Sequence, residues 1–176
     1  MSEIFPIVEP DGHIIGSATR EECHSGSFLL HPVVHLHILR SDGAILLQKR
    51  SMTKDIQPGR WDTAVGGHMD LGEDVMTALR REAREELGVG DDMLPQPVVV
   101  YPFRSDREYE LVNVYQWHAP DSFEPVADPV EIDEVRYWTR DEIESAIGKG
   151  VLTPNFEQEY RRIAPQLYGI CTDAVD

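Results

Sequence analysis

The chain has 176 residues, of which 41% are hydrophobic, enough for one domain with a substantial core. It carries 16 Lys and Arg against 32 Asp and Glu, a formal net charge of −16, and such a field argues against binding a nucleic-acid polymer. No apolar run is long enough to span a bilayer, and the opening MSEIFPIVEPDG has no basic stretch leading into an apolar one, so a cytoplasmic protein is expected.

Residues 4–8 and 13–17 flank the turn tripeptide Pro10-Asp11-Gly12 and predict an N-terminal β-hairpin. His35 and His37 alternate with Val34, Leu36 and Ile38, which is strand periodicity over 33–38. Ser41-Asp42-Gly43 then turns into a strand over 44–48, a second expected hairpin. Residues 51–60 form a polar loop, and 61–65 reads as a strand that ends at Gly66-Gly67. Cys23 and Cys171 lie far apart without CxxC spacing, which suits two free thiols in a reducing compartment.

Past residue 89, segments 96–103, 110–118 and 130–138 read as strands rich in Val and Tyr. Thr139 caps a helix through Ile147, with Asp141 and Glu142 in its first turn, and Asn155 caps a last helix from Phe156 to about Leu167. Tyr101, Phe103, Tyr109, Tyr115 and Trp117 could stack on a base, although aromatics in strands are more often core, and His13, His35, His37 and His118 read as ordinary surface or strand residues. Strands mixed with a few helices predict an α/β protein, a mixed sheet covered by helices on both faces, in a single domain over 1–176.

Between these elements lies the segment GHMDLGEDVMTALRREAREELGV, residues 67–89. As a helix, Met76, Leu79, Ala83 and Leu87 form an apolar stripe, while Glu82, Glu85 and Glu86 share roughly 100° of arc on an adjacent face. Three close carboxylates repel one another, and a divalent cation resolves the conflict. Mg²⁺ suits this donor set, taking a few carboxylates together with water and substrate phosphate oxygens. REAREEL alone would also suit a solvated helix face, but Gly67, Glu73, Gly88 and Val89 stand in register with it. Gly67 and Gly72 bracket the entry loop, and Gly88 stands where a left-handed residue ends the helix. Lys49, Arg50, Lys54 and Arg60 concentrate positive charge suited to clamping a terminal phosphate.

The segment resembles the Nudix box, G-x5-E-x7-R-E-U-x-E-E-x-G-U, with U a bulky aliphatic residue. Every fixed position matches, and the one departure is Ala83 at the first U. The resemblance implies an α/β/α sandwich and a Nudix-type diphosphatase. It also implies Mg²⁺ on Glu82, Glu85 and Glu86, with Mn²⁺ able to substitute, and an Arg81–Glu73 salt link that orients the catalytic helix. Its substrate would be a small diphosphate-containing metabolite such as a nucleoside diphosphate derivative, and homodimers are a habit of the family.

A second resemblance runs from about Arg20 to Tyr115, through TREECHSGSFLLHP, LLQKRSMTKDIQPGRWDTAVGGH and EYELVNVY. These phrases look like the isopentenyl-diphosphate isomerase branch of the superfamily. On that resemblance His24, His31 and His68 match metal-binding histidines, Glu108 and Glu110 match paired glutamates, and Arg20, Arg50 and Lys54 match diphosphate-binding positions. The isomerases carry a catalytic cysteine just before the Gly-His pair, and here that residue is Gly66. The hydrolase reading therefore leads, ahead of an isomerase-like enzyme and a non-catalytic ligand-binding protein. Imidazole with carboxylate favours a transition metal over Mg²⁺, so the histidines suggest a second metal or substrate-phosphate site.

Overall fold

The computed structural model describes residues 2–169. The predicted hairpin forms from β1 (Ile4–Val8) and β2 (Ile14–Thr19), paired antiparallel. Phe5 and Ile7 bury beneath it with Ala18 and Cys23, a free thiol; Cys171 lies outside the described residues. A short helix that the sequence reading missed follows at once: α1 (Arg20–Cys23), capped by Thr19 in a box closed by Glu22.

The main sheet is mixed and seven-stranded, built around β3 (Leu30–Leu39). β8 (Tyr109–His118) runs parallel to β3 along its whole length, and β7 (Gln96–Arg104) pairs antiparallel outside β8. On the other side of β3 lies β6 (Val65–His68), in the register Val34 to Gly67 and His35 to Gly66. Gly66 and Gly67 therefore belong to a strand instead of ending one.

The second expected hairpin is also altered. β3 and β4 (Ile45–Arg50) meet only at Leu39 and Ile45, after which β4 pairs with β5 (Trp61–Thr63) and β9 (Ile132–Trp138).

Helices cover both faces, as expected. The apolar stripe of α2 (Val75–Leu87) supplies Leu79, Ala83 and Leu87 to a core with Val34, Leu36 and Ile38 of β3. The opposite face packs Val33 and Leu39 against α3 (Arg140–Ala146) and α4 (Pro154–Leu167), through Ile143, Phe156, Tyr160 and Ile163. Even positions of β3 thus face α2 and odd positions face α4, the two-residue alternation of a strand.

Thr139 caps α3 as predicted. The cap of α4 is Thr153, not Asn155: its hydroxyl accepts from the Phe156 amide at 3.1 Å, and Pro154 takes the first helical position.

Candidate active site

Asp74 caps α2 by accepting from the Thr77 amide at 2.7 Å, and Gly88 closes the helix at φ 66°. Only glycine takes that left-handed conformation without strain. The helix sets Glu82, Glu85 and Glu86 in a cleft of about 520 Å³ beside the end of β6. Gly67 explains its own identity, because a Cβ there would overlap the Glu82 carboxyl group. One residue earlier, the Gly66 amide donates to Glu86 Oε2 at 3.1 Å.

Arg81 organises this end of the cleft. Its Nε and Nη2 donate to the two oxygens of Glu73, each at 2.8 Å. Its Nη1 donates to Glu82 at 2.8 Å, and Nη2 also reaches the His68 carbonyl at 3.0 Å. Glu73 stands behind the cleft lining, and its carboxyl is held below the usual carboxylate range by the Arg81 hydrogen bonds. Burial and the neighbouring Glu82 carboxylate push Glu86 up to about 8, against the opposing pull of the Gly66 amide. A divalent cation would take the place of the proton that burial holds on Glu86, and carboxylate oxygens lining one cleft are the donors a hard ion takes.

Of the predicted cations, Arg20, Arg50 and Lys54 line the cleft, whereas Lys49 and Arg60 do not. Arg20 pairs with Glu3 at 2.7 Å, Arg50 lies 3.5 Å from Asp62, and Lys54 pairs with Glu131. Burial and the adjacent Arg50 guanidinium lower the Lys54 pKa, so the positive charges crowd one another.

His24 and His68 line the same cleft, and the buried His31 lies beside them. One ring nitrogen from each of His24, His31 and His68 lies within 4.8 Å of the others. His24 and His68 share a hydrogen bond between their Nε2 atoms at 3.2 Å, and His24 Nε2 lies 3.4 Å from Glu108. His68 stacks flat on Phe5 with centroids 4.5 Å apart. His31 donates from Nδ1 to the Leu29 carbonyl at 2.9 Å, which leaves its buried Nε2 with no partner among the described residues. Burial lowers the pKa of all three imidazoles, favouring the neutral form that binds metal. Glu110 sits opposite His31 across the β3–β8 ladder, and burial with the Glu108 carboxylate raises it well above the usual range. An orphaned buried nitrogen among neutral imidazoles fits a transition metal.

His35 and His37, expected as ordinary strand residues, instead share a buried carboxylate. His35 Nδ1 and His37 Nε2 donate to the two carboxyl oxygens of the buried Glu159 at 2.8 and 2.6 Å. The Tyr101 hydroxyl donates to the same carboxylate at 2.6 Å. Glu159 comes from α4, more than 120 residues away in sequence. His13 and His118 are exposed, as expected.

Comparison with known proteins places this geometry in a family. The NUDIX domain matches residues 29–166. An isopentenyl-diphosphate Delta-isomerase of Leifsonia xyli is 34% identical over 131 residues, covering 70% of this chain and 71% of that protein. An uncharacterized Nudix hydrolase of Yersinia pestis is 28% identical over 176 residues, covering 93% of each. Among solved structures, DR0079 from Deinococcus radiodurans superposes with a TM-score of 0.78 at 26% identity, covering 92% of this chain and 99% of that one. The chain has the Nudix fold and belongs to the NUDIX family, with relatives named as Nudix hydrolases and as isopentenyl-diphosphate isomerases.

Proposed function

We propose that the protein is a magnesium-dependent hydrolase of a diphosphate linkage in a small metabolite, such as a nucleoside diphosphate derivative, with manganese able to replace magnesium. The observation that carries this reading is one cleft lined by Glu82, Glu85 and Glu86 together with Arg20, Arg50 and Lys54. A diphosphate resists attack because its oxygens repel the incoming nucleophile, so catalysis rests on positioning and charge neutralisation. A bound divalent ion supplies Lewis acidity and a more acidic water. Glu82, Glu85 and Glu86 would hold it, with Arg81 and Glu73 fixing the helix that presents them. Arg20, Arg50 and Lys54 would bind the phosphate, as guanidinium and ammonium groups do.

Gly66 weighs against allylic isomerisation, since no thiol stands at that position. The complete box weighs against a purely ligand-binding role. The histidine end of the cleft supports a second site, in which His24, His31 and His68 with Glu108 and Glu110 hold a transition metal or a substrate phosphate. The orphaned Nε2 of His31 favours it.

The test is a screen of nucleoside diphosphate derivatives, dinucleoside polyphosphates and isopentenyl diphosphate with Mg²⁺ or Mn²⁺, following phosphate release and product identity. Metal-dependent diphosphate cleavage is expected. Isomerised product without phosphate release would replace the hydrolase reading with the isomerase one.

A further inference from the structure

β3 and β6 place the His35 side chain beside Gly66, at the floor of the cleft. A Cβ at position 66 would meet His35 Cδ2 at 3.4 Å and Nε2 at 3.7 Å, so glycine leaves the Nε2 edge of the ring uncovered. The ring's other nitrogen is committed, since Nδ1–H donates to Glu159. Among the described residues Nε2 has no hydrogen-bond partner, and His35 lines the cleft alongside Thr153 and Asn155 at the start of α4. Glu159 is itself fixed from three sides, by His35, His37 and the Tyr101 hydroxyl.

We infer that His35, locked in orientation by Glu159, is a substrate-contact residue whose Nε2–H donates to a phosphate oxygen of the bound diphosphate. This rests on the hydrolase reading and adds a contact outside the Nudix box, which contains neither residue. Titratable groups act on the ring from several elements: Glu159 on α4, Asp62 on β5, Glu110 on β8, and His68 on β6. Desolvation disfavours a charged ring, but the Glu159 carboxylate and its hydrogen bond, helped by Asp62 and Glu110, raise the His35 pKa to about 9. The imidazolium then carries protons on both nitrogens, one for Glu159 and one for the cleft. Glu159 is a positioning residue in this arrangement. It keeps the ring from turning and keeps its charge, as the carboxylate behind a histidine commonly does.

The experiment uses the full chain with inorganic pyrophosphate as probe, without added metal, and observes ¹⁵N-labelled histidine rings by NMR. Binding is expected to shift the His35 Nε2 resonance while Nδ1 stays in its hydrogen-bonded position. His35→Gln is expected to weaken pyrophosphate affinity and raise KM by about tenfold or more, the usual cost of one charge-assisted contact. Glu159→Gln should do the same in part, with the Nδ1 resonance displaced. Because Glu159 is buried, His35→Asn serves as a second, smaller substitution that leaves the His37 and Tyr101 bonds in place, and a melting curve checks that it folds. A His35 ring unmoved at saturating pyrophosphate, or unchanged affinity and KM in folded His35→Gln and His35→Asn, would overturn the inference and leave the hydrolase reading standing. A wild-type chain that neither binds pyrophosphate nor cleaves any diphosphate would remove both.

Discussion

Arg81 grips Glu73 through two parallel hydrogen bonds of 2.8 Å, tying the loop ahead of α2 to the middle of that helix. The same guanidinium reaches Glu82 and the His68 carbonyl, so loop, helix and β6 share one anchor. Only the planar, forked head of arginine can hold this set. Arg81→Lys is expected to lower metal affinity and kcat by about 10–100-fold, typical for a group that orients ligands from behind. Isothermal titration with Mg²⁺ checks it alongside circular dichroism. Unaltered metal binding in a folded variant would reduce the pair to a surface ion pair.

Glu85→Gln and Glu86→Gln each remove a carboxyl group proposed to hold metal from the face of α2 that lines the cleft. Turnover is expected to drop by about 10²–10³, the scale for deleting an electrostatic stabiliser. The fold should persist, because the buried stripe of α2 is untouched. Near-wild-type hydrolysis in both variants would remove this helix from the chemistry.

The raised pKa of Glu86 has a definite sign. Its folded, metal-free value of about 8 exceeds the ordinary value of about 4.3, so below that point a cation must displace a proton. Mg²⁺ affinity should therefore climb as pH rises to about 8 and level off above it. Without metal, the folded state binds more protons than the unfolded one across that window, so stability falls as pH rises through it. Melting curves with and without Mg²⁺ at a series of pH values read both effects. A metal-induced gain in Tm that does not vary with pH would contradict the assignment.

No isomerase activity on isopentenyl diphosphate is expected, because glycine occupies position 66. Deuterium incorporation from D₂O into dimethylallyl product is the sensitive assay. Exchange above a no-enzyme control would mean that another group of the cleft replaces the thiol.

A crystal soaked in Mn²⁺ tests the histidine cluster. Anomalous density is expected among His24, His31 and His68 as well as at Glu82, Glu85 and Glu86. Density confined to the three glutamates would leave the imidazoles as packing partners of Phe5.

What could be read in advance was local in sequence. The spacing of Glu82, Glu85 and Glu86, the apolar stripe beside them and the glycine that ends the helix all act within a few turns. The Glu159 network could not be read, because the carboxylate that defines His35 and His37 comes from α4 and is brought close only by the packing of that helix on β3. Gly66 and Gly67 misled for a related reason. Glycine weakens a strand, yet here the ladder to β3 holds both residues extended and the missing Cβ atoms leave room for Glu82 and His35. Asn155 reads as a cap by residue type, but Pro154 takes the first position of the helix and moves the cap back to Thr153.

The alternation of β3 makes that strand unforgiving of length changes. His31, His35 and His37 all sit on its odd positions, the face shared with Val33 and Leu39, while the even positions fill the core under α2. One residue inserted at its start would swap the two sets, driving His35 and His37 into the apolar layer under α2 and turning Val34 and Leu36 toward Glu159. Substitutions elsewhere in the cleft can adjust what is bound, but the spacing within this strand leaves no room for insertion or deletion.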